Sequence, residues 1–348
     1  MKKYNTGIAL LRILMCFQVV VDHFYAFEDD GILNTILDFY SSLAVPIFVI
    51  LAFMYLDIDS ISCDKDRFFE RMYRLVVPHI IWAFVYFVLY WLLDFVHGYS
   101  LGIHRGIKGL LSLIITGSAL NPAAWFMVDL IIVTIMFAAI YRICGAKRGF
   151  AILLFLMTFS WALQYSGLWH SAVNMLFTGT PFYWTVGRII EVIPFAVVGL
   201  LIRKNNLMNY IQESQGIRRI TIILVSIVCI VLLFCLRNYT EIENDFMYSG
   251  GPRAIKATFT IVVFGAMNFK PFGEKIESAI VKISKHTMAV FFMHNMIGTV
   301  LLKTAVFAKI MEAYRGTIFI CVIIFAISMA IALIMYRIPS KTVKLVMS

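Results

Sequence analysis

Long apolar stretches follow one another along almost the whole chain. A helix needs about 20 mostly apolar residues to cross the hydrocarbon core of a bilayer. Ten stretches reach or approach that length: 6–26, 36–56, 74–96, 123–143, 149–166, 182–202, 218–236, 253–269, 284–302 and 316–336. The run 107–120 is too short to cross and is expected at the interface or as a re-entrant segment. Because backbone polar groups in lipid must bond within the segment, these stretches predict helices.

The composition agrees with a membrane protein. The chain is 61% hydrophobic and 14% charged, whereas a soluble domain carries about a quarter charged residues. We therefore predict an all-α, polytopic transmembrane helix bundle of about ten spans, with residues 1–348 forming a single integral membrane domain. The net charge of +10 does not indicate nucleic-acid binding, because the basic residues lie in short loops between spans and report orientation instead.

The loops between the spans carry an asymmetric charge. With the N-terminus placed inside, 20 of the 30 Lys and Arg residues fall in inner segments and eight in outer ones. Short basic loops stay in the cytoplasm, so we expect both termini to be cytoplasmic in a multi-pass protein of the cell (plasma or inner) membrane. None of the six cysteines falls in an outer loop, so no disulfide framework is expected.

The first span carries Arg12, Asp22 and His23. Ionisable side chains are costly in hydrocarbon, and those that occur there usually have a function. Eleven residues make just over three helical turns, so Arg12 and His23 share a face and lie about 16 Å apart. Arg12 and His23 therefore predict two binding positions along one continuous slot that runs from the cytoplasmic side toward the outer side. Arg12 would bind an anionic group nearer the cytoplasm, and His23 would take a proton from an attacking hydroxyl nearer the outside.

A structural explanation of the same span stays open. Arg12 could extend to the lipid headgroups, and His23 could satisfy a backbone carbonyl. Asp22 projects about 100° away from His23 on a helix. We therefore expect Asp22 to face a neighbouring helix or the outer interface rather than to assist His23.

Two further arginines, Arg71 and Arg74, lie at the cytoplasmic start of the third span. They are three residues apart and share a helix face. One interpretation is an ordinary positive flank of a membrane span. The other is a second phosphate clamp near Arg12, because the guanidinium fork matches phosphate oxygens. The sequence leaves both interpretations open.

Other ionisable residues lie deep in later spans. Arg188 and Glu191 are spaced i, i+3 and can pair on one face of the sixth span. Such a pair would either brace the bundle or bind an acceptor or handle protons in a central cavity. Asp129 and His294 could each make polar contacts between helices, and this is the expectation for Asp129.

Motifs for other chemistry are missing from the sequence. It has no Walker loop, no dinucleotide fingerprint, no HExxH and no paired CxxC. These absences argue against an ATP-driven pump and a zinc enzyme, and no metal site is expected.

The pattern of these residues resembles the acyltransferase-3 integral membrane proteins, which acylate cell-surface carbohydrates and related acceptors. Arg12 and His23 resemble that family's first-span signature, and Arg71-Met-Tyr-Arg74 resembles its RxxR element. Ala124-Trp125-Phe126 and the segment AVFFMH (289–294) are similar to an aromatic motif and a late Tyr-x-x-His-like motif of the family. The second span, SLAVPIFVILAFMYL (42–56), is also similar, but 52–54 read Ala-Phe-Met where the family has Ser-Gly-Phe.

The resemblance implies transfer of an acyl group, usually acetyl, from cytoplasmic acyl-CoA to a hydroxyl of a carbohydrate on or near the outer face. Acetyl-CoA would be a donor substrate, and no permanently bound cofactor is expected. His23 would be the catalytic base, Arg12 a donor-binding or site-ordering residue, and Arg71 and Arg74 contacts to the coenzyme A phosphates. The expected substrate-binding residues are Trp125, Arg188, Glu191 and His294.

Two other classes of function stay open. The runner-up is a proton-coupled exporter or flippase of a surface-glycan precursor, because intramembrane ionisable residues suit a proton relay. The lack of repeat symmetry between the halves counts against it. A membrane sensor or scaffold is the third candidate. The partners expected are acyl-CoA, a carbohydrate acceptor and the lipid bilayer, with a homo-oligomer left open and no nucleic acid.

Overall fold

The computed structural model describes residues 5–26, 31–41, 43–97, 107–117, 124–166, 183–239, 250–267, 273–303, 309, 314 and 316–347. These residues form α-helices and no strand; their one extended pairing is a bridge between Tyr25 and Gly316. The helices are α1 (Thr6–Phe24), α2 (Ile32–Ser41), α3 (Ala44–Met54), α4 (Ile58–Cys63), α5 (Lys65–His97), α6 (Ile107–Thr116), α7 (Trp125–Ser166), α8 (Tyr183–Lys204), α9 (Leu207–Glu213), α10 (Gly216–Tyr239), α11 (Gly250–Ala266), α12 (Glu274–Ser284), α13 (Thr287–Lys303), α14 (Ile318–Met335) and α15 (Lys341–Val346). The all-α prediction is confirmed.

Six of the described helices are long and apolar enough to cross a membrane: α1, α5, α7, α8, α10 and α14. Within α7, Gly145 has φ 73° and ψ 162°. The break falls between the predicted spans 123–143 and 149–166 and divides the 42-residue helix there. The remaining predicted spans fall on α3, α11 and α13, which are shorter. The polytopic bundle is therefore established, and the count of ten spans stays a prediction.

The predicted span 36–56 is not one helix. The structure has two helices here, α2 and α3, at 40° to each other. Pro46 gives a physical reason, because a proline inside a helix removes one backbone bond and its ring clashes with the carbonyl four residues earlier. In the first turn of a helix that cost disappears, and Pro46 lies in the first turn of α3. Within the short run 107–120, residues 107–116 form α6, whose ten residues are too few to cross.

The first helix lies at the centre of the bundle. It packs against α2, α3, α11, α12, α13 and α14. Its neighbour α13 runs in the same direction, because Arg12 contacts Thr287 near the start of both helices and His23 stacks on His294 near the end of α1. We call these two ends of the bundle the Arg12 end and the His23 end. By contrast, α10 packs on α11 and exposes most of its apolar surface, as expected for a lipid-facing helix.

Helices α3 and α8 approach each other closely at Gly199. A Cβ atom on Gly199 would lie 2.5 Å from the backbone oxygen of Ile50 and 2.9 Å from the Cβ of Phe53. Small residues permit such close approach between membrane helices. In place of a Ser-Gly-Phe sequence, α3 carries Phe53, which packs on Phe137 with ring centroids 5.4 Å apart. The glycine of this contact is therefore on α8 and not on the second predicted span.

Candidate active site

Two histidines from α1 and α13 meet at the His23 end. The rings of His23 and His294 are stacked, with centroids 5.2 Å apart and planes at 28°. His23 is exposed at the protein surface, whereas the side chain of His294 is fully buried beneath it. The sequence singled out both residues but did not predict their contact, because they are far apart in the chain.

The hydrogen bonding of His294 leaves one ring nitrogen open. Its Nδ1 lies 3.2 Å from the backbone oxygen of Val290. A carbonyl only accepts, so Nδ1 carries the hydrogen, and in the neutral ring Nε2 then presents a lone pair. This buried Nε2 has no hydrogen-bond partner in the described part of the chain. Because buried polar atoms are normally bonded, the open Nε2 fits a group supplied by a substrate.

Arg12 lies at the other end of the same pair of helices. Its Nη2 is 3.4 Å from the hydroxyl of Thr287, the first residue of α13. Cys16, one turn further along α1, donates to the backbone oxygen of Thr287 at 3.3 Å. The N-terminus of a helix carries unbonded amides and a positive partial charge. Arg12 and the start of α13 together make an electropositive region suited to an anion.

The arginines Arg71 and Arg74 have different surroundings. Arg74 forms a 2.5 Å salt bridge with Glu70, and both side chains are more than 60% exposed. The Nε and Nη2 atoms of Arg71 are buried, and none of the described residues accepts a hydrogen bond from either. Buried hydrogen-bond donors without an acceptor are unfavourable. Arg71 is therefore the better placed of the two to bind an incoming phosphate.

The last described helix, α15, links α5 with the start of α13. The C-terminal helix α15 packs against α5. Just beyond α15, the backbone oxygen of Met347 is 2.8 Å from Nδ1 of His286, the residue before Thr287. Helix α5, which carries Arg71, is thus linked through α15 to the start of α13, where Arg12 lies.

Arg188 forms its salt bridge with Asp129 rather than with Glu191. Its Nε is 3.3 Å from Oδ2 of Asp129, and its Nη2 is 3.2 Å from the backbone oxygen of Thr116. The guanidinium also lies 5.1 Å from the ring centroid of Trp125. The pairing with Glu191 suggested by the i, i+3 spacing is wrong, because spacing compares residues on one helix only and Asp129 comes from α7. The expected interhelical role of Asp129 is confirmed.

Aromatic side chains connect the Asp129–Arg188 pair with the histidines. Trp125 begins α7, and the next residue, Phe126, packs on Phe291 with ring centroids 5.5 Å apart. Phe291 is in turn 6.3 Å from the ring of His294. Glu191 lies on α8, half-buried, one turn beyond Arg188. Of the four predicted substrate residues, Trp125 and Arg188 are therefore in contact with each other. His294 is connected to Trp125 through the rings of Phe126 and Phe291, and Glu191 lies one turn from Arg188.

Comparison with known families decides the class of this protein. A family model described as an acyltransferase domain, acyltransferase-3, matches residues 5–337. The chain belongs to the acyltransferase-3 family. No curated protein and no solved structure matches it significantly. As an acyltransferase-3 protein built from apolar helices of membrane-crossing length, it is a membrane acyltransferase. The match includes Arg12, His23 and His294.

A glycine that the sequence analysis did not single out sets the distance between α1 and α13. A Cβ atom on Gly298 would lie 2.3 Å from the ring of Phe24. Phe24 follows His23 in the chain and also contacts the ring of His294, with centroids 6.4 Å apart. Gly298 is four residues after His294, so it shares the face of α13 that meets α1. The sequence could have indicated this contact, because a glycine inside a helix often marks a close packing contact and Gly298 lies four residues after His294.

Proposed function

We propose that this acyltransferase-3 protein is an O-acyltransferase of the cell membrane. It would move an acyl group, acetyl in the simplest case, from cytoplasmic acyl-CoA to a hydroxyl of a cell-surface or lipid-linked carbohydrate. The observation that carries the proposal is the stacked pair His23–His294, which lies between two parallel helices with an electropositive region at their other end. Both termini would be cytoplasmic, as the charge bias of the loops predicts.

The donor would bind at the Arg12 end. Arg71 has buried guanidinium nitrogens without a partner among the described residues, which suits a phosphate of coenzyme A. Arg12, at the start of α13, would hold a second anionic group or order the slot. The pantetheine arm would then run along α1 and α13 toward the His23 end. The donor is a substrate in this scheme, and Arg74 contributes less because Glu70 already neutralises it.

The transfer itself needs one base and one leaving group. His23 accepts the proton of the acceptor hydroxyl, and the oxygen attacks the thioester carbonyl. The carbon–sulfur bond breaks and the coenzyme A thiolate leaves, taking the proton from His23 to become the free thiol, which returns His23 to its neutral form. The products are an acyl ester of the carbohydrate and coenzyme A, so atoms and charge balance. Holding the thioester and the hydroxyl together removes most of the entropic cost of the reaction.

The acceptor would lie against the His23 end. The open Nε2 of His294 can accept a hydrogen bond from a hydroxyl of the acceptor. Trp125 and Glu191 would line the wall that continues from the histidines through Phe126 and Phe291. Arg188, held by Asp129, would fix that wall and orient Trp125.

The proposal is tested in cells that make the protein and in matched cells that lack it. Surface glycans from the two are compared by mass spectrometry, and we expect a mass difference of one acyl group in cells with the wild-type protein. The His23→Ala variant should lose that difference while inserting in the membrane normally. Trp91→Ala, which alters an exposed side chain of α5, is the control and should keep the modification.

Two results would contradict the proposal. One is an unchanged acyl modification in cells with His23→Ala. The other is proton-dependent movement of a glycan precursor without any binding of acyl-CoA to the purified protein, which would favour the transporter alternative.

A further inference from the structure

Tyr86 on α5 reaches into the backbone of α13. Its hydroxyl donates to the backbone oxygen of Phe292 at 2.6 Å and accepts from the backbone N–H of Met296 at 3.1 Å. In an uninterrupted α-helix, the N–H of residue 296 bonds the oxygen of residue 292. The hydroxyl of Tyr86 thus bonds both members of one rung of the helix, and a group inserted in this way adjusts the helix locally.

The turn that Tyr86 bonds is the turn that carries His294. His294 lies midway between Phe292 and Met296, and Tyr86 is only 1% exposed, so water does not compete for its hydrogen bonds. Trp82, one turn before Tyr86, stacks on the ring of Phe292 with centroids 5.7 Å apart and planes at 11°. Two large side chains of α5 therefore fix this turn of α13, one through a ring and one through the backbone.

His294 needs such fixing because its own hydrogen bonds do not set its height in the site. Nδ1 bonds the oxygen of Val290 on its own helix, which orients the ring relative to α13 but not relative to α1. The stacking on His23 and the open Nε2 both depend on where the turn 292–296 lies along the bundle. The hydroxyl of Tyr86 on α5 makes hydrogen bonds to the backbone of that turn, and these bonds fix the position of the turn relative to another helix.

We propose that Tyr86 is a positioning residue for the acyl transfer, setting the turn 292–296 so that the Nε2 of His294 faces the reacting hydroxyl beside His23. The inference rests on the proposed function, because it assumes that the acceptor binds at the two histidines. Tyr86 acts through the backbone of α13 and does not touch the substrate.

The experiment uses the purified protein in vesicles made from the total membrane lipids of the cells that produce it, so that their lipid-linked carbohydrate serves as the acceptor, with coenzyme A release from acetyl-CoA as the measurement. Tyr86→Phe removes only the hydroxyl. Tyr90→Phe is the matched control, because Tyr90 is one turn along α5 and stacks on Tyr86 with centroids 6.2 Å apart. We expect Tyr86→Phe to lower kcat by about tenfold or more while the KM for acetyl-CoA stays within about twofold of the wild type. Tyr90→Phe should leave both unchanged.

A double-variant cycle separates positioning from general support of the fold. In the His294→Gln background, the loss caused by Tyr86→Phe should shrink to less than about twofold, because the residue that Tyr86 positions has gone. An equal loss in both backgrounds would overturn the inference. A wild-type protein that releases no coenzyme A would instead overturn the proposed function itself.

A second measurement does not depend on activity. With ¹⁵N-labelled histidine, the ring signals missing from His294→Gln belong to His294. These signals should move in Tyr86→Phe and stay in place in Tyr90→Phe. Signals that are identical in wild type and Tyr86→Phe would contradict the inference.

Discussion

Two pairs of ionisable side chains each join two helices of this bundle, and their bonding differs. Asp129 and Arg188 join α7 to α8, and the Arg188 guanidinium also bonds the backbone of Thr116 and lies against Trp125. His23 and His294 join α1 to α13 by ring stacking, and Nε2 of His294 has no partner in the described residues. The charge of the first pair is compensated within the protein, whereas the second pair keeps a nitrogen open.

This difference in bonding suggests that the first pair stabilises the fold and that the second pair takes part in the reaction. A buried ion pair is costly to break, since the remaining charge has no partner, and it binds helices together as long as both members are present. A histidine with an open nitrogen adds little to the stability of the fold but can accept a hydrogen bond from a substrate hydroxyl. We therefore expect variants of the two pairs to affect different properties of the protein.

The largest effect on stability should follow from breaking the ion pair. Asp129→Asn leaves Arg188, whose side chain is only 16% exposed, without the carboxylate that it bonds, and should lower the free energy of unfolding by about 3 kcal/mol. Unfolding of the purified protein in detergent measures this loss. The double variant Asp129→Asn/Arg188→Met should recover part of it, since no unpaired charge remains. If the single variant were as stable as the wild type, the claim that the Asp129–Arg188 pair stabilises the fold would be wrong.

A smaller effect, on donor binding, should separate the two arginines of α5. Arg71→Ala removes a guanidinium whose buried nitrogens have no partner in the described chain, and we expect the KM for acetyl-CoA to rise about tenfold or more. Arg74→Ala is the matched control, because Arg74 is exposed and paired with Glu70, and it should change the KM by less than about threefold. Equal effects of the two variants would show that the clamp acts as one unit, as the shared helix face suggests.

The smallest expected effect concerns the fit between α1 and α13. Gly298→Ala adds a methyl group at the ring of Phe24, beside the stacked histidines, and should lower kcat several-fold through displacement of that ring. Gly265→Ala is the control, since its added methyl group meets the flexible end of Met208. It should leave the rate of coenzyme A release unchanged. A Gly298→Ala variant with wild-type kcat would mean that the histidine geometry tolerates such movement.

Much of the fold follows from the sequence because the bilayer restricts the choices. Long apolar stretches must be helical, and the described residues of the predicted spans are largely helical in the structure. The division of 36–56 into α2 and α3 was missed, although Pro46 was a readable signal for a helix start. Helices α11 and α13 are each 17 residues long. This length is close to the minimum for crossing a bilayer, so the number of apolar residues does not determine whether each helix spans it.

The sequence predicted only part of the candidate site, because some of its contacts lie within one helix and others join separate helices. Helical phase placed Arg12 and His23 on one face, because that relation lies within a single helix. It could not find that His294 stacks on His23 or that Asp129 pairs with Arg188, since these contacts depend on how separate helices pack. The role proposed for Tyr86 was equally hidden, because the sequence does not show which tyrosine of α5 has a hydroxyl that reaches another helix.

The central claim is that His23 performs proton transfer and does not hold the donor or the fold. The most direct test measures acetyl-CoA binding and coenzyme A release on the same samples of purified wild-type and His23→Gln protein. Glutamine keeps a polar side chain but takes up no proton near neutral pH. We expect acetyl-CoA affinity within about twofold of the wild type, together with a loss of turnover of about 10²-fold or more. Turnover at half the wild-type rate or above, with binding intact, would contradict the account.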